Sequence, residues 1–228
     1  RVADLETLFG AAHAAPLRLA SSFTIGEYLL PPLISGWKQA HPASQVRLDI
    51  ANTGAVLDAV LDFRVDLGFI EGARTHPDLV VHHWQNDELV VVAAPGHPWA
   101  RRRVSTAQLA EATWIVREPG SGTREASDRW LLENLGSYAL GFELGSTEAL
   151  KRLVATGAAV GCLSRHAVAA DLARGTLVEL RSSLPPLKRR LAIVVHKDKH
   201  LGRGADDFLR HCAEAERAGF SPADPPAR

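Results

Sequence analysis

Hydroxyl side chains gather where an apolar segment passes into an amphipathic helix. The first group, Ser21, Ser22 and Thr24, follows the apolar segment LRLA. One side chain is enough to cap a helix, so three hydroxyls at one helix start favour a ligand that shares their hydrogen bonds. The N-terminus of a helix also offers backbone N–H groups and partial positive charge, which suit an anion. We therefore predict that this group binds a small polar ligand.

A pattern of strand, polar pair, helix and strand occurs twice in the chain, in residues 46–71 and 141–164, about ninety residues apart. In both copies a glycine follows the threonine of the polar pair by 14 or 15 residues. Each pair alone is an ordinary helix cap. Two related units carrying such pairs are better explained by a shared binding cleft. The two pairs are Asn52-Thr53 and Ser146-Thr147.

The segment EPGSGTR, residues 118–124, is a third candidate for ligand binding. Its two glycines let the backbone approach a ligand closely, and Ser121, Thr123 and the N–H groups of the following helix can hold a carboxylate, sulfate or phosphate. Arg124 can add positive charge, although an arginine facing solvent is the alternative. The spacing is not that of a nucleotide-binding P-loop, because the Gly-Lys-Ser/Thr signature is missing.

Apolar strands alternate with amphipathic helices along the chain, which predicts an α/β fold with Rossmann-like mixed or parallel sheets and helices on both faces. The break Pro95-Gly96-His97-Pro98 suggests a crossover between two lobes. The predicted organisation is a helix end at 1–13, a first lobe of 14–94 and 195–217, a second lobe of 95–194, and a loose tail at 218–228.

Two crossings between lobes imply a hinge, and ligands of such sheets bind at the carboxyl ends of strands. The polar groups named above all follow strands. We therefore expect two lobes that face one cleft, an arrangement more typical of a small-molecule sensor than of a catalyst.

Composition argues against nucleic-acid binding by this segment itself. The 228 residues contain 26 basic and 26 acidic side chains, so the formal net charge is zero, whereas nucleic-acid-binding domains usually carry a basic excess. The two cysteines do not resemble a disulfide framework. No segment reads as a signal peptide or a membrane span, so we expect a cytoplasmic location. Because the chain starts with arginine and contains no methionine, we expect a fragment of a longer protein.

Enzyme signatures are weak, so the sequence predicts no catalytic residues, no bound metal and no cofactor. Neither HExxH nor CxxC occurs, and Ser121 does not lie in the G-x-S-x-G elbow of hydrolases. His196 and His200 are four residues apart but straddle a strand end and a loop. Cys162 is the one candidate nucleophile, and its apolar surroundings favour a buried free thiol instead.

Several segments together resemble the effector-binding part of LysR-type transcriptional regulators, over roughly residues 16–212. The EPGSGTR and GSTEALK segments look most like the branch that contains the sulfur-assimilation and carbon-fixation regulators. The segments that carry the resemblance are LRLASSFTIGEYLLPPLISGWKQAHP, VDLGFIEG, ELVVVAAPGHPWA, WIVREPGSGTR, ELGSTEALKRLVATGAAVGCLSRHAV and GTLVEL.

The resemblance implies a two-lobed, periplasmic-binding-protein-like (type 2) fold that binds a small metabolite, often an anion, between its lobes. By position, first-lobe contacts correspond to Ser22, Thr24 and Thr53, and second-lobe contacts to Ser121 and Thr147. It also implies a homodimer, a tetramer for the full-length protein, and DNA contact only through an N-terminal winged helix-turn-helix outside this chain. Effector binding would change the orientation of the lobes and so the arrangement of the DNA-binding heads.

One alternative shares the same fold. A periplasmic solute-binding protein of a transporter would also bind a small molecule between two lobes. It would need a signal peptide or lipid anchor and would usually be monomeric. An amphipathic start such as residues 1–13 is not typical of that class.

Overall fold

The structure, a computed structural model, describes residues 16–218, and these form two compact units. Unit 1 contains residues 16–85 and 191–218, and unit 2 contains residues 86–190. The predictions for residues 1–13 and for the tail from residue 219 onward lie outside the described residues.

Eleven strands and seven helices, with one short π-helical turn, make up residues 16–218. The strands are β1 (Leu17–Ser21), β2 (Val46–Ile50), β3 (Leu67–Glu71), β4 (Leu79–Ala93), β5 (Arg103–Val104), β6 (Thr113–Arg117), β7 (Ala139–Leu144), β8 (Val160–Ser164), β9 (Val178–Glu179), β10 (Arg181–Ser182) and β11 (Leu187–His196). The helices are α1 (Leu30–Ala40), α2 (Thr53–Leu61), α3 (Thr106–Glu111), α4 (Gly122–Leu135), α5 (Thr147–Ala155), α6 (Arg165–Arg174) and α7 (Arg203–Arg217), with the π-helical turn Ile25–Leu29 before α1.

In unit 1 the strand order is β2-β1-β3-β11-β4. β1 runs parallel to β2 and β3, and β11 runs antiparallel to β3. One sheet face packs against α1 and α7, around Trp37, Phe69 and Phe208. The other face packs against α2 through Val56 and Val60. Covering both faces explains why β3 is buried at all five positions.

In unit 2 the strand order is β4-β8-β6-β7. β6 runs parallel to β7 and β8, whereas β4 runs antiparallel to β8. One face packs around Trp114, Trp130 and Leu131, and the other packs against α5 through Leu150 and Val154. The sheets are therefore mixed, with helices on both faces, as the alternating pattern predicts.

The boundaries between the units differ from the predicted ones. We expected one crossover near Pro95. The structure instead shows one continuous strand, β4, with the division inside it and a second division inside β11. The polar segment HHWQND looks like a loop in sequence, yet it continues the strand because its backbone still pairs within the sheet.

The helix that follows β1 starts with a π-helical turn rather than directly as an α-helix. Pro31 and Pro32 lie in the first turn of α1. Proline has no N–H to donate to a preceding carbonyl, so a wider turn before this pair is compatible with its geometry. The turn places Ile25 and Leu29 in the core of unit 1.

Candidate functional site

The predicted polar residues of unit 1 meet at the carboxyl end of its parallel strands. Ser21 ends β1, Glu71 ends β3, and Thr53 begins α2. Thr24 N–H donates a hydrogen bond of 2.9 Å to Glu71 Oε1, and Thr53 Oγ1 donates one of 3.5 Å to the Glu71 carbonyl oxygen. Glu71, which the sequence did not single out as a site residue, thus joins the two predicted groups.

Helix capping explains only some of the hydroxyl-bearing residues of unit 1. The Thr24 side chain makes no capping hydrogen bond, and the Glu71 carboxylate accepts the Thr24 N–H instead. A carboxylate here also complements the positive end of the helix dipole. Asn52 does cap its helix, since its Oδ1 accepts from Ala55 N–H at 3.0 Å. Asn52 is half-buried, whereas Thr53 is fully buried.

Ser22 has a hydroxyl whose hydrogen-bonding capacity the fold leaves unused. The residue is 1% exposed, and its Oγ forms no hydrogen bond within residues 16–218. The neighbouring Ser21 Oγ donates to the Ser22 carbonyl oxygen at 3.0 Å. A buried hydroxyl without a hydrogen-bond partner destabilises the fold by about 1–3 kcal/mol. Such a hydroxyl is expected in a binding site, where the ligand supplies the missing hydrogen bond.

In unit 2 a buried arginine, Arg117, ends β6 beside the two predicted helix starts. Arg117 is 2% exposed. Its Nε and Nη2 donate to both carboxylate oxygens of Glu118, at 2.8 and 3.0 Å, and its Nη1 donates to Thr147 Oγ1 at 2.8 Å. Arg117 was not among the site residues predicted from the sequence. The available signal was a single charged side chain closing the apolar strand TWIVR.

The glycine-rich turn leads into α4 as predicted. Ser121 is buried and caps the helix, since its Oγ accepts from Arg124 N–H at 3.3 Å. Gly120 has a φ of +91°, which glycine adopts without strain. The turn therefore brings the N-terminus of a 14-residue helix to the end of β6.

Arg124 lies in an ion-pair network. Its Nε donates to Asp128 at 2.5 Å, and its Nη1 donates to Glu143 at 2.9 Å and to the Arg117 carbonyl oxygen at 2.6 Å. Burial alone lowers the pKa of Arg124, but the hydrogen bonds to Asp128 and Glu143 raise it overall. The side chain thus differs from a solvent-facing arginine, and its role as a ligand contact stays a prediction.

Thr123 belongs to a buried polar network. Its Oγ1 accepts from Arg189 Nη1 at 3.0 Å, and Arg189 Nε donates to Asp87 Oδ2 at 2.7 Å. Ser164 Oγ donates to the other Asp87 oxygen at 2.8 Å. The side chains of Arg189 and Asp87 are only 3% and 0% exposed. The network fixes the start of α4 against β4, β8 and β11.

In the polar pair of the second repeat, as in the first, one residue caps the helix and the other hydrogen-bonds at a strand end. Ser146 is half-buried and caps α5, with its Oγ accepting from Ala149 N–H at 3.3 Å. Thr147 is buried and holds the Arg117 guanidinium. In both repeats, therefore, the first residue caps the helix and the threonine bonds to the end of a strand.

Metal and thiol chemistry find little support among the described residues. No group of three or more His, Cys, Asp or Glu within residues 16–218 is placed to hold a metal ion. Burial raises the pKa of the Cys162 thiol to about 12, and a protonated thiol is a poor nucleophile. Across the same residues, none of the helices combines the length and the apolarity needed to cross a membrane.

Comparison with known proteins places the chain among bacterial regulators. Residues 10–217 match the family model of the LysR substrate binding domain. The chain is 43% identical to the uncharacterized HTH-type transcriptional regulator YeiE of Escherichia coli K12, over 93% of this chain and 72% of that protein. It is 31% identical to the RuBisCO operon transcriptional regulator of Allochromatium vinosum, over 90% of this chain and 67% of that protein.

A solved structure agrees with these relatives. The CcmR regulatory domain of Synechocystis PCC6803, in complex with 2-PG, is 29% identical and superposes with a TM-score of 0.80, over 88% of this chain and 96% of that one. The fold is thus α/β and type 2 periplasmic-binding-protein-like, the class of LysR regulatory domains. The chain belongs to the LysR substrate-binding domain family. These findings favour the regulatory domain over the transporter receptor.

Proposed function

We propose that this chain senses a small anionic effector and reports its presence to a DNA-binding segment outside the 228 residues. The observation that carries the proposal is Arg117. A guanidinium that is 2% exposed lies at the carboxyl end of a parallel strand, bonded to the first residue of α5. Its electrostatic attraction for an anion is stronger there than in open water, and its planar fork suits a carboxylate or phosphate.

Glu118 keeps the charge of Arg117 compensated in the absence of effector. Its side chain is 23% exposed, against 2% for Arg117, so the carboxylate is the more easily displaced partner. The effector anion takes the place of Glu118 on the guanidinium. Ser121, Thr147 and the N-terminal turns of α4 and α5 supply further hydrogen-bond donors.

Unit 1 supplies neutral groups to recognition. The Glu71 carboxylate already occupies the start of the helix after β1, so an anion is disfavoured there. The buried hydroxyls of Ser22 and Thr53 suit instead the uncharged polar part of an effector.

The absence of catalytic activity, the location, the oligomeric state and the DNA contact are proposed by analogy with the LysR family. The relatives are transcriptional regulators, and we assign this chain no catalytic activity. We place it in the cytoplasm as part of a homodimer, with a tetramer for the full-length protein. DNA contact is made by a winged helix-turn-helix outside these 228 residues. The zero net charge of this chain fits that assignment, because DNA-binding domains usually carry a basic excess. Effector binding shifts the conformational equilibrium by about 1–3 kcal/mol of coupling.

The first experiment is native mass spectrometry of the purified chain, before and after denaturation. We expect a dimer that carries a small mass released on denaturation, which weighs the effector directly. A ligand-free monomer that binds neither phosphate nor sulfate in a titration would contradict the proposal.

Variants then locate the binding groups by calorimetric titration with inorganic phosphate. Arg117→Lys keeps the charge but loses the fork, and it should weaken binding by about tenfold or more. Glu118→Gln removes the competing carboxylate and should strengthen binding.

Thr106→Val is the matched control for Thr147→Val, because Thr106 is likewise the first residue of a serine-capped helix but is exposed. Equal affinity of the Thr147→Val and Thr106→Val proteins would exclude this placement of the site.

A further inference from the structure

Unit 2 also contains a concave site, which is lined by residues other than those at the strand ends described above. It is an open cavity of about 570 Å³, a volume within the range of small-molecule sites. Its walls come from the middle of β4, the β5–β10 ribbon, α4, and the loop before β11. The lining includes Leu89, Arg103, Trp130, Arg181, Leu184 and Leu187.

Two arginines stand side by side at this cavity. Arg103 and Arg181 are register partners in the parallel β5–β10 ribbon, so their side chains leave the same face, with backbones roughly 4.8 Å apart. Both are exposed and both line the cavity. Neither forms an ion pair or a side-chain hydrogen bond within residues 16–218. Two adjacent like charges repel each other, and a shared anion removes that repulsion.

The acidic groups of the cavity are already in use. Glu88 and Glu179 both pair with Arg165, at 3.2 and 3.0 Å. Among the described residues neither carboxylate pairs with Arg103 or Arg181. Arg165 offsets one of the two negative charges, so the two arginines still leave a net positive charge at this end of the cavity. The positively charged end of the cavity can therefore bind an anionic ligand.

The floor of the cavity is apolar and firmly held. Leu89 and Leu180 belong to the core of unit 2, and Leu184 and Leu187 pack against it. Trp130 Nε1 donates to the Pro185 carbonyl oxygen at 2.9 Å, which ties the loop to α4. An apolar floor below a pair of cations matches a ligand with an apolar body and one anionic end.

We propose that this cavity binds a small organic anion, a carboxylate or phosphate ester with an aromatic or aliphatic body. The anionic group is held by Arg103 and Arg181, and the body lies on Leu184 and Trp130. The concave shape and apolar floor favour such a molecule over a nucleic-acid backbone. The site is separate from the one that contains Arg117, and the proposal stands whether or not that site binds the effector.

The test uses 1-naphthoate as probe and 1-naphthamide as its neutral counterpart. The chain has five tryptophans, and the Trp130 indole N–H signal, assigned with the Trp130→Phe variant, reports locally on the cavity in ¹⁵N NMR. We expect naphthoate to shift this signal in a saturable way. The amide should bind about tenfold more weakly or worse, because it lacks the charge.

Two double variants with the same change of charge separate the site from general electrostatics. Arg103→Gln with Arg181→Gln should weaken naphthoate binding by about tenfold or more. Arg101→Gln with Arg102→Gln, which alters two exposed neighbours outside the cavity, should leave it unchanged within about threefold. Equal loss in both double variants, an unshifted Trp130 signal at saturating probe, or equal affinity for the amide would overturn the proposal.

Discussion

The two units share a backbone plan but carry opposite charges at the polar ends of their strands. In unit 1 a carboxylate, Glu71, lies at the start of the helix after β1. In unit 2 a guanidinium, Arg117, lies at the start of α5. The capping residue and the buried threonine hold corresponding positions in both. The common frame therefore positions the groups, and one charged side chain per unit decides what each can bind.

The charged pairs of the two units also differ in burial. Unit 2 holds Asp87 and Arg189 at 0% and 3% exposure, whereas unit 1 holds Asp66 and Lys199 at 15% and 10%. A buried pair that loses one member leaves an uncompensated charge, while a partly exposed one is rescued by water. The following predictions test this contrast and the contrast between the repeats.

The largest effect is expected from Arg189→Met. Removing the cation leaves Asp87 buried, with Ser164 as its remaining side-chain donor among the described residues. This change should lower the free energy of unfolding by about 3–5 kcal/mol. The matched change in unit 1, Lys199→Met, should cost only about 1 kcal/mol, because Arg18 still pairs with Asp66. Urea unfolding followed by circular dichroism measures both. Similar losses in the two variants would show that burial does not distinguish the pairs.

The next effect compares the two repeat glycines under their helices. A Cβ on Gly68 would lie 2.6 and 2.7 Å from methyl groups of Val60 and Val194, whereas one on Gly161 would lie 3.0 and 3.1 Å from Leu150 and Val154. The approach at Gly68 is closer and both of its neighbours are stiff branched side chains, so Gly68→Ala should cost about 3 kcal/mol and Gly161→Ala about 1 kcal/mol. Thermal unfolding of the two variants gives the order. A reversed order would mean that unit 2 packs more tightly than its geometry suggests.

Two buried serines at strand ends should respond in opposite directions. Ser164 donates to Asp87 and accepts from His166 N–H, so Ser164→Ala should lower stability by about 2 kcal/mol. Ser22 Oγ has no partner within residues 16–218, so Ser22→Ala should leave stability unchanged or raise it by up to about 1 kcal/mol. Chemical denaturation measures both, and a destabilised Ser22→Ala protein would indicate a structural role for that hydroxyl.

The smallest effect concerns acid stability through Asp66 in unit 1. Burial acts to raise its pKa, but hydrogen bonds from Arg18 and Lys199 outweigh burial and hold the pKa below the ordinary 3.8. A pKa lowered by folding stabilises the protein above the unfolded-state value, and this stabilisation disappears as the pH falls through the folded-state value. Asp66→Asn should therefore flatten the stability curve in that acid range. Urea unfolding at a series of acid pH values measures the slope, and an unchanged slope in the Asp66→Asn protein would contradict the prediction.

Local sequence signals predicted most of the fold. The α/β class and the caps Asn52 and Ser146 follow from short-range chemistry, and the structure shows them. The continuity of β4 did not follow, because a polar segment inside a strand looks like a loop until its pairing partners are known. The π-helical turn before α1 was missed for a similar reason, since it depends on packing.

The charges of the candidate site were harder to predict than its hydroxyls. Ser121 and Thr147 stand out because caps and turns have local signatures. Arg189 and Asp87, by contrast, meet across 102 positions of sequence, and no local pattern announces such a pair. Glu71 and Arg117 each end an apolar strand. That position makes a charged residue noticeable in the sequence, but it does not predict which groups the residue contacts.

The path of the chain through β4 and β11 also sets an order of assembly during translation. Unit 2 is one uninterrupted stretch, so all of residues 86–190 are synthesised before the last strand and helix of unit 1. Until α7 is made, Trp37 and Phe69 lack Phe208, against which both rings pack at 5.6 and 6.4 Å between centroids. The nascent protein therefore completes its inserted unit first and keeps an open aromatic core in the other. Chaperone binding to stalled or truncated chains is expected to concentrate on unit 1.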